Sequence, residues 1–233
     1  MGEISKIRGE ILMKKAIVLL SGGQDSTTCL FWALKQFNKV LAVGFDYGQK
    51  HRQELVQAQK IAHLAKVEYK IFNLKGLLGG SSLTDHAKDH NEPHTKNNNL
   101  PASFTAGRNA LFLTLAASFG YEQGIQNFVI GTCQTDYSGY PDCRQEFIGS
   151  QIKTLSLALE TEIKIYTPLM FLTKAQTWKM AQDLGCFDIV RDYSMTDYNG
   201  DLTKNEWGYG VNNNPATALR VKGFEEAKAA GWI

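Results

Sequence analysis

Short apolar runs alternate with longer amphipathic stretches along this chain. The runs lie at residues 16–20, 40–45, 69–72, 128–130 and 163–166, and helical periodicity occupies residues 26–37, 53–65, 109–122, 145–159 and 174–184. Runs this short are of strand length, whereas apolar positions three and four apart mark helices with one buried face. The alternation predicts an α/β fold, a Rossmann-like, doubly wound parallel sheet of about five strands with its ligand crevice at the carboxyl ends of the strands. Thr173 and Gly185 suit the N-cap and C-cap of the last of these helices. Residues 74–106 break the rhythm with glycines, His86, His90, Pro93, His94 and the run Asn97-Asn98-Asn99. A loop this long predicts a mobile lid over the crevice. Its histidines would share a face only on a helix, and the stretch is too polar for one, so no metal is expected there. Residues 1–12 precede the first strand signal and read as a disordered extension. Residues 13–190 then form the main domain, with residues 191–233 a small helical or irregular subregion packed on it.

The length of 233 residues suits a single α/β domain, which buries roughly 70% of its unfolded surface. A net charge of +2 makes no general case for nucleic-acid binding. No apolar stretch approaches the ~20 residues that span a bilayer, and the first residues lack the apolar centre of a secretion signal. The expected compartment is the cytoplasm. Cys29, Cys133, Cys143 and Cys186 have no paired spacing, which indicates neither a disulfide framework nor a zinc knuckle.

The strongest chemical signal is Leu20-Ser21-Gly22-Gly23-Gln24-Asp25-Ser26-Thr27-Thr28, where the first strand meets a helix. Paired glycines let backbone amides converge on one point, and the helix start adds its unpaired N–H groups, so the segment reads as a phosphate cradle. It lacks the Gly-Lys-Ser/Thr ending of a Walker loop and the third glycine of a dinucleotide fingerprint. Three more segments end at the same crevice. Phe45-Asp46-Tyr47-Gly48-Gln49 offers an aromatic platform, a carboxylate and an amide; Gly107-Arg108-Asn109 opens a helix with a forked cation. Asp136 to Arg144, with Tyr137, Tyr140, Asp142 and Cys143, follows the fourth strand and converges from the other side. Each alone also reads as an ordinary turn.

Ser-Gly-Gly-x-Asp-Ser resembles the pyrophosphate loop of the ATP-pyrophosphatase superfamily, whose members adenylate a carbonyl oxygen. The ordered set Ser21 to Cys29, Phe45 to Gln49, Gly107 to Asn109, Tyr140 to Arg144 and Leu172-Thr173-Lys174 is similar to the 7-cyano-7-deazaguanine synthase family of the queuosine pathway. The resemblance implies an adenine nucleotide alpha hydrolase-like fold and ATP with Mg²⁺. It also implies 7-carboxy-7-deazaguanine and ammonia as substrates, and a homodimer as a common state. Leu20 to Thr28 with Arg108 and Asn109 would then hold the nucleotide, with Asp25, Arg108 and Lys174 acting in catalysis and Asp25 near the magnesium. Phe45, Tyr47, Gln49, Tyr137, Tyr140, Asp142 and Arg144 would hold the deazaguanine, Asp142 accepting from its ring N–H groups. Cys143 needs no covalent role, since acyl-adenylate chemistry uses no thiol. Still open are a relative that joins the activated carboxylate to another amine, on a protein or nucleic acid, and a nucleotide-binding module without chemistry.

The family usually has four zinc-binding cysteines near its carboxyl end. Aligning Tyr198-Asn199-Gly200 and Leu219-Arg220 puts Asp197, Val211, Asn214 and Thr217 at those positions. Valine cannot ligate, and neutral Asn and Thr are poor partners for Zn²⁺. No zinc is expected, and hydrogen bonds and packing must replace it.

Overall fold

Alternation within the first strand sets the layers of the molecule. In β1 (Lys15–Leu19), Ala16 and Val18 face one side and Ile17 and Leu19 the other, all buried. Leu30 and Ala33 of α1 (Gln24–Gln36) and Ile61 and Ala62 of α2 (Gln53–Leu64) cover the first face. Leu113 and Ala117 of α3 (Arg108–Glu122), with Ile148 and Leu155 of α4 (Gln145–Ala158), cover the second. A strand buried on both faces can be apolar at every position, as residues 16–20 are. The computed structural model describes residues 14–49, 52–85, 93–94, 97–135 and 139–233. The proposed extension at residues 1–12, His86, His90, the His94 side chain and Tyr137 lie outside the described residues.

The sheet is parallel throughout, in the order β3 (Glu68–Asn73), β2 (Lys39–Asp46), β1, β6 (Asn127–Val129), β7 (Lys164–Tyr166). Order reverses between β1 and β6, and a doubly wound sheet opens its ligand crevice at such a switch point. Helix α1 begins already at Gln24 because Gly23 takes the extended N-cap conformation. Inside residues 74–106, read as a long lid loop, the structure has a short antiparallel hairpin, β4 (Pro93–His94) with β5 (Asn97–Pro101). Its flank is tied down by a Ser81–Thr105 hydroxyl pair at 2.7 Å and by Ser82 N–H donating to Ala102 O at 2.8 Å.

Helix α5 (Lys174–Asp183) has the expected cap: Thr173 and Gln176 form a reciprocal capping box, and Gly185 follows with a positive φ. Two helices then appear that the apolar pattern does not announce, α6 (Phe187–Tyr193) and α7 (Pro215–Ala229), with a two-strand ribbon, β8 (Lys204–Asn205) and β9 (Gly208–Tyr209), between them. Helix α7 starts from a second capping box, Asn214 with Thr217, followed by Pro215 at its first turn. Trp178 of α5 is fully buried edge-on to Phe224 of α7, with ring centroids 5.4 Å apart. Gly223 lets α7 press on the start of α5, since a Cβ there would stand 2.4 Å from Lys174 Cβ. The carboxyl-terminal helix thereby sets the position of Lys174.

Candidate functional site

A cavity of about 320 Å³ opens where β1 and β6 end. Its first wall is the phosphate cradle. Gly22 has φ +94°, and a Cβ there would lie 2.2 Å from Glu54 O; a Cβ on Gly131, after β6, would lie 3.1 Å from Ser26 N. Both glycines let neighbouring chain close on the loop from behind. Gly23 caps α1 with no side-chain bond, leaving the amides of Gln24, Asp25 and Ser26 without intrahelical acceptors. Ser21 Oγ and Ser26 Oγ lie 3.0 Å apart, and Ser21 N–H donates to Ser26 Oγ at 3.2 Å. The result is a concave array of N–H and O–H groups at the positive end of a helix.

A second helix start points at the same place. Lys174 is the first residue of α5, and its Nζ donates to Asp25 Oδ2 at 2.6 Å. Asp25 Oδ1, both polar atoms of the Gln24 amide and Thr132 Oγ1 are buried without a hydrogen-bond partner, and all three residues line the cavity. Buried polar atoms left unpaired in this way are costly unless a ligand completes them.

Another part of the lining is aromatic and cationic. Arg108, which opens α3, sits 5.9 Å from the ring centroids of both Tyr47 and Tyr140, and its Nη1 donates to Tyr47 OH at 3.4 Å. Burial works against its charge, but Tyr47, Tyr140 and Asp142 outweigh burial and hold its pKa above the usual guanidinium range. Tyr140 is fixed by a 2.6 Å hydroxyl contact to Ser103, and Phe45 stacks on Phe112 at 4.1 Å. Gln49 lines the cavity, but its amide is used to shape its own loop, accepting from Tyr47 N–H at 3.0 Å and donating to Phe45 O at 3.3 Å.

The structure thus brings Leu20, Ser21, Gly23, Gln24, Asp25 and Ser26 to one cavity with Phe45, Tyr47, Gln49, Arg108, Asn109, Tyr140 and Lys174. It does not bring all the expected residues there. Gly22 lies behind the loop. Thr27 and Thr28 are fully buried, and their hydroxyls turn back onto Gly23 O at 2.7 Å and Gln24 O at 3.0 Å, the usual bond of a helical threonine to the preceding turn. Asp142 is not a wall of the cavity: its Oδ2 accepts from Asn109 N–H at 3.0 Å, capping α3, while Asn109 Nδ2 donates to Asp142 O at 3.0 Å. Arg144 is exposed at the N-cap of α4, outside the cavity.

Wall residues with no counterpart in the sequence-based set include Glu54, Thr132, Met195 and Thr196. Met195 N–H donates to Gly22 O at 2.9 Å and so backs the cradle. Glu54 stands in the first turn of α2; burial pushes its pKa up to about 7, with Arg108 pulling the other way. Its place just after the β2 loop, at the crevice edge of the sheet, is the signal that could have found it.

The four positions aligned with zinc ligands do converge, through hydrogen bonds. Asp197 Oδ1 accepts from Asn199 N–H at 2.6 Å, and its Oδ2 accepts from Val211 N–H at 3.1 Å and Asn214 Nδ2 at 3.3 Å. Thr217 Oγ1 donates to Val211 O at 3.0 Å, and Asn214 Oδ1 accepts from Thr217 N–H at 3.1 Å. Among the described residues no group of three or more His, Cys, Asp or Glu side chains could hold a metal. No helix there is long and apolar enough to cross a membrane.

Comparison with known proteins gives a consistent answer. The model for "Queuosine biosynthesis protein QueC" matches residues 15–228. The 7-cyano-7-deazaguanine synthase of Bacteroides fragilis is 49% identical over 213 residues, covering 91% of this chain and 94% of the relative. The synthase of Wolinella succinogenes is 45% identical over 219 residues, covering 92% and 94%. In fold, the chain is similar to a 4-thiouridine synthetase solved in complex with RNA and bound ATP. That match has a TM-score of 0.50 and 17% identity, over 93% of this chain and 54% of that one.

Proposed function

The chain belongs to the queuosine biosynthesis protein QueC family, and on that premise we propose that it converts 7-carboxy-7-deazaguanine, ammonia and ATP into 7-cyano-7-deazaguanine. One observation carries the reading at the level of the site: an uncapped helix start with the Asp25–Lys174 pair lines the same cavity as a guanidinium held close to two tyrosines. The first part suits phosphates and the second a flat ring bearing an anion.

A carboxylate resists ammonia because its oxygen is a poor leaving group. Attack of that oxygen on the α-phosphorus of ATP expels pyrophosphate and gives an acyl-adenylate; ammonia then displaces AMP with loss of a proton, forming the amide. In a second round the amide oxygen attacks another α-phosphorus, expelling pyrophosphate, and loss of both N–H protons and of AMP closes the nitrile. Both rounds use the same phosphate grip. The amides of Gln24, Asp25 and Ser26 and the Ser21 and Ser26 hydroxyls hold the departing pyrophosphate, while Lys174 and Arg108 face the charge that grows during displacement. The unpaired Asp25 Oδ1 fits a magnesium ion arriving with the triphosphate, which supplies counter-charge. Joining the acid to an amine on a protein or nucleic acid is disfavoured by relatives named as synthases across nine-tenths of the chain.

Incubation with 7-carboxy-7-deazaguanine, ATP, Mg²⁺ and ammonium tests this directly. Pyrophosphate release should depend on the acid, and mass spectrometry should find the nitrile. An amide end point would remove the second dehydration from the proposal, and no pyrophosphate would overturn it.

In this reading the carboxyl-terminal region stands without zinc, on the hydrogen bonds centred on Asp197. Asp197→Ala removes an acceptor for three donors, one from Asn214, which is itself buried. The expected loss is about 2–4 kcal/mol, read as a lower urea midpoint. Strong chelators should leave the wild-type midpoint unchanged; zinc in the purified protein and a drop on chelation would contradict the zinc-free account.

A further inference from the structure

Of the carboxylates that line the cavity, two are already engaged. Asp25 is paired with Lys174, and Asp197 accepts from Asn199, Val211 and Asn214. Asp142, the carboxylate expected to read the ring, is spent on the amide of Asn109. Glu54 differs from all of these. It lines the cavity, its carboxyl is within electrostatic reach of Arg108 on the same cavity, and it takes no hydrogen bond or ion pair from the described residues. Its backbone carbonyl packs behind Gly22 of the cradle, while its charge is felt by Tyr47 of the cavity lining and by Tyr69, whose hydroxyl donates to Leu20 O at 3.1 Å. The acid therefore stands between the phosphate loop and the wall of Arg108 and Tyr47.

The chemistry of the acid selects its ligand. An ionised carboxylate only accepts, with two oxygens able to take two parallel N–H bonds. A guanine-type ring presents that pair, its ring N–H and its exocyclic amine, side by side; adenine presents one donor beside one acceptor and fits a carboxylate poorly. We propose that Glu54 is the specificity-determining residue of this site, accepting both N–H groups of the deazaguanine edge while Tyr47 and Tyr140 flank the ring. The assignment rests on the function proposed above.

The groups facing Glu54 are Arg108 from α3, Tyr47 after β2 and Tyr69 from β3. Free Glu54 is half protonated near pH 7, and ring donors favour its ionised form, so affinity for the ring should fall as pH drops below about 7.

Calorimetry with 7-carboxy-7-deazaguanine and with its analogue lacking the exocyclic amine decides the matter. Wild-type protein should prefer the aminated ring by about 100-fold, the worth of a hydrogen bond to a charged acceptor. In Glu54→Gln the preference should shrink to about threefold and the pH dependence flatten, with ATP affinity unchanged, since an amide oxygen replaces one of two charged acceptors. Wild-type protein that does not discriminate between the two rings overturns the assignment without recourse to any variant. So does a Glu54→Gln protein that keeps the preference or loses ATP affinity instead. Absence of pyrophosphate release from wild type with the carboxylated ring would be a separate failure, of the underlying reaction.

Discussion

Replacing Lys174 by methionine should cut acid-dependent pyrophosphate release by about 10³-fold in kcat/KM, the scale of losing one preorganised charge at a transition state. Methionine keeps the Cβ that packs on Gly223 and much of the stem, so helix α5 stays in place. What disappears is the ammonium 2.6 Å from Asp25, leaving that carboxylate to repel phosphate oxygens at the mouth of the cradle. The pair is only 13% and 27% exposed, so solvent does little to replace the missing charge. If the charge acts in displacement rather than binding, kcat carries most of the loss and the KM for ATP changes little. Steady-state kinetics of Lys174→Met with a fixed-time pyrophosphate assay separates the two; a loss confined to KM would make Lys174 a binding group.

Arg220→Met should be the most destabilising single change in the carboxyl-terminal region. The side chain is wholly buried, and its guanidinium donates to Trp207 O at 2.9 Å, Ser194 Oγ at 2.7 Å, Thr196 Oγ1 at 3.0 Å and Val190 O at 3.1 Å, while lying over the Trp178 ring. These acceptors come from α6, the segment that backs the cradle and the β8–β9 turn. One residue therefore ties three pieces of chain together. Methionine of similar length leaves those acceptors buried and unpaired, at a cost of about 3–5 kcal/mol. For a chain of this size that is a fall in Tm of roughly 6–20 °C. Arg220→Lys should recover only part of it, because one ammonium cannot reproduce the planar fork. A methionine variant melting within a degree or two of wild type would contradict this view of the region.

The fold was legible because its signals are local and repeated. Residues 16–20 are apolar without a break, which is the mark of a strand covered on both faces, and Thr173 marks the start of α5 by its capping chemistry alone. The site was legible only as far as which loops reach the crevice. Which way a side chain turns there depends on partners far along the chain. Asp142 sits in a turn beside the right tyrosine, yet its oxygen belongs to the amide of Asn109, and that pairing exists only once α3 has packed against the turn. Thr27 and Thr28 follow the cradle in sequence, but a helix rotates each successive residue by about 100°, which carries them into the core. Glu54 was hidden for the opposite reason: a charged residue in a first helical turn has an ordinary local explanation, which outweighs the weaker signal of its place just after the β2 loop. The four positions aligned with zinc ligands carry a second message. Asn214 followed by Pro215 is a helix start in its own right, so the same residues serve as an N-cap and as part of a hydrogen-bonded cluster.

The central claim is that a single cradle activates the same carbon twice, once as an acid and once as an amide. Feeding 7-carboxy-7-deazaguanine with both carboxylate oxygens replaced by ¹⁸O, and weighing the AMP formed, tests it most directly. Two AMP should appear for each nitrile, each with one ¹⁸O in its phosphate and none in pyrophosphate. Label found in pyrophosphate or released to water, with unlabelled AMP, would contradict the account.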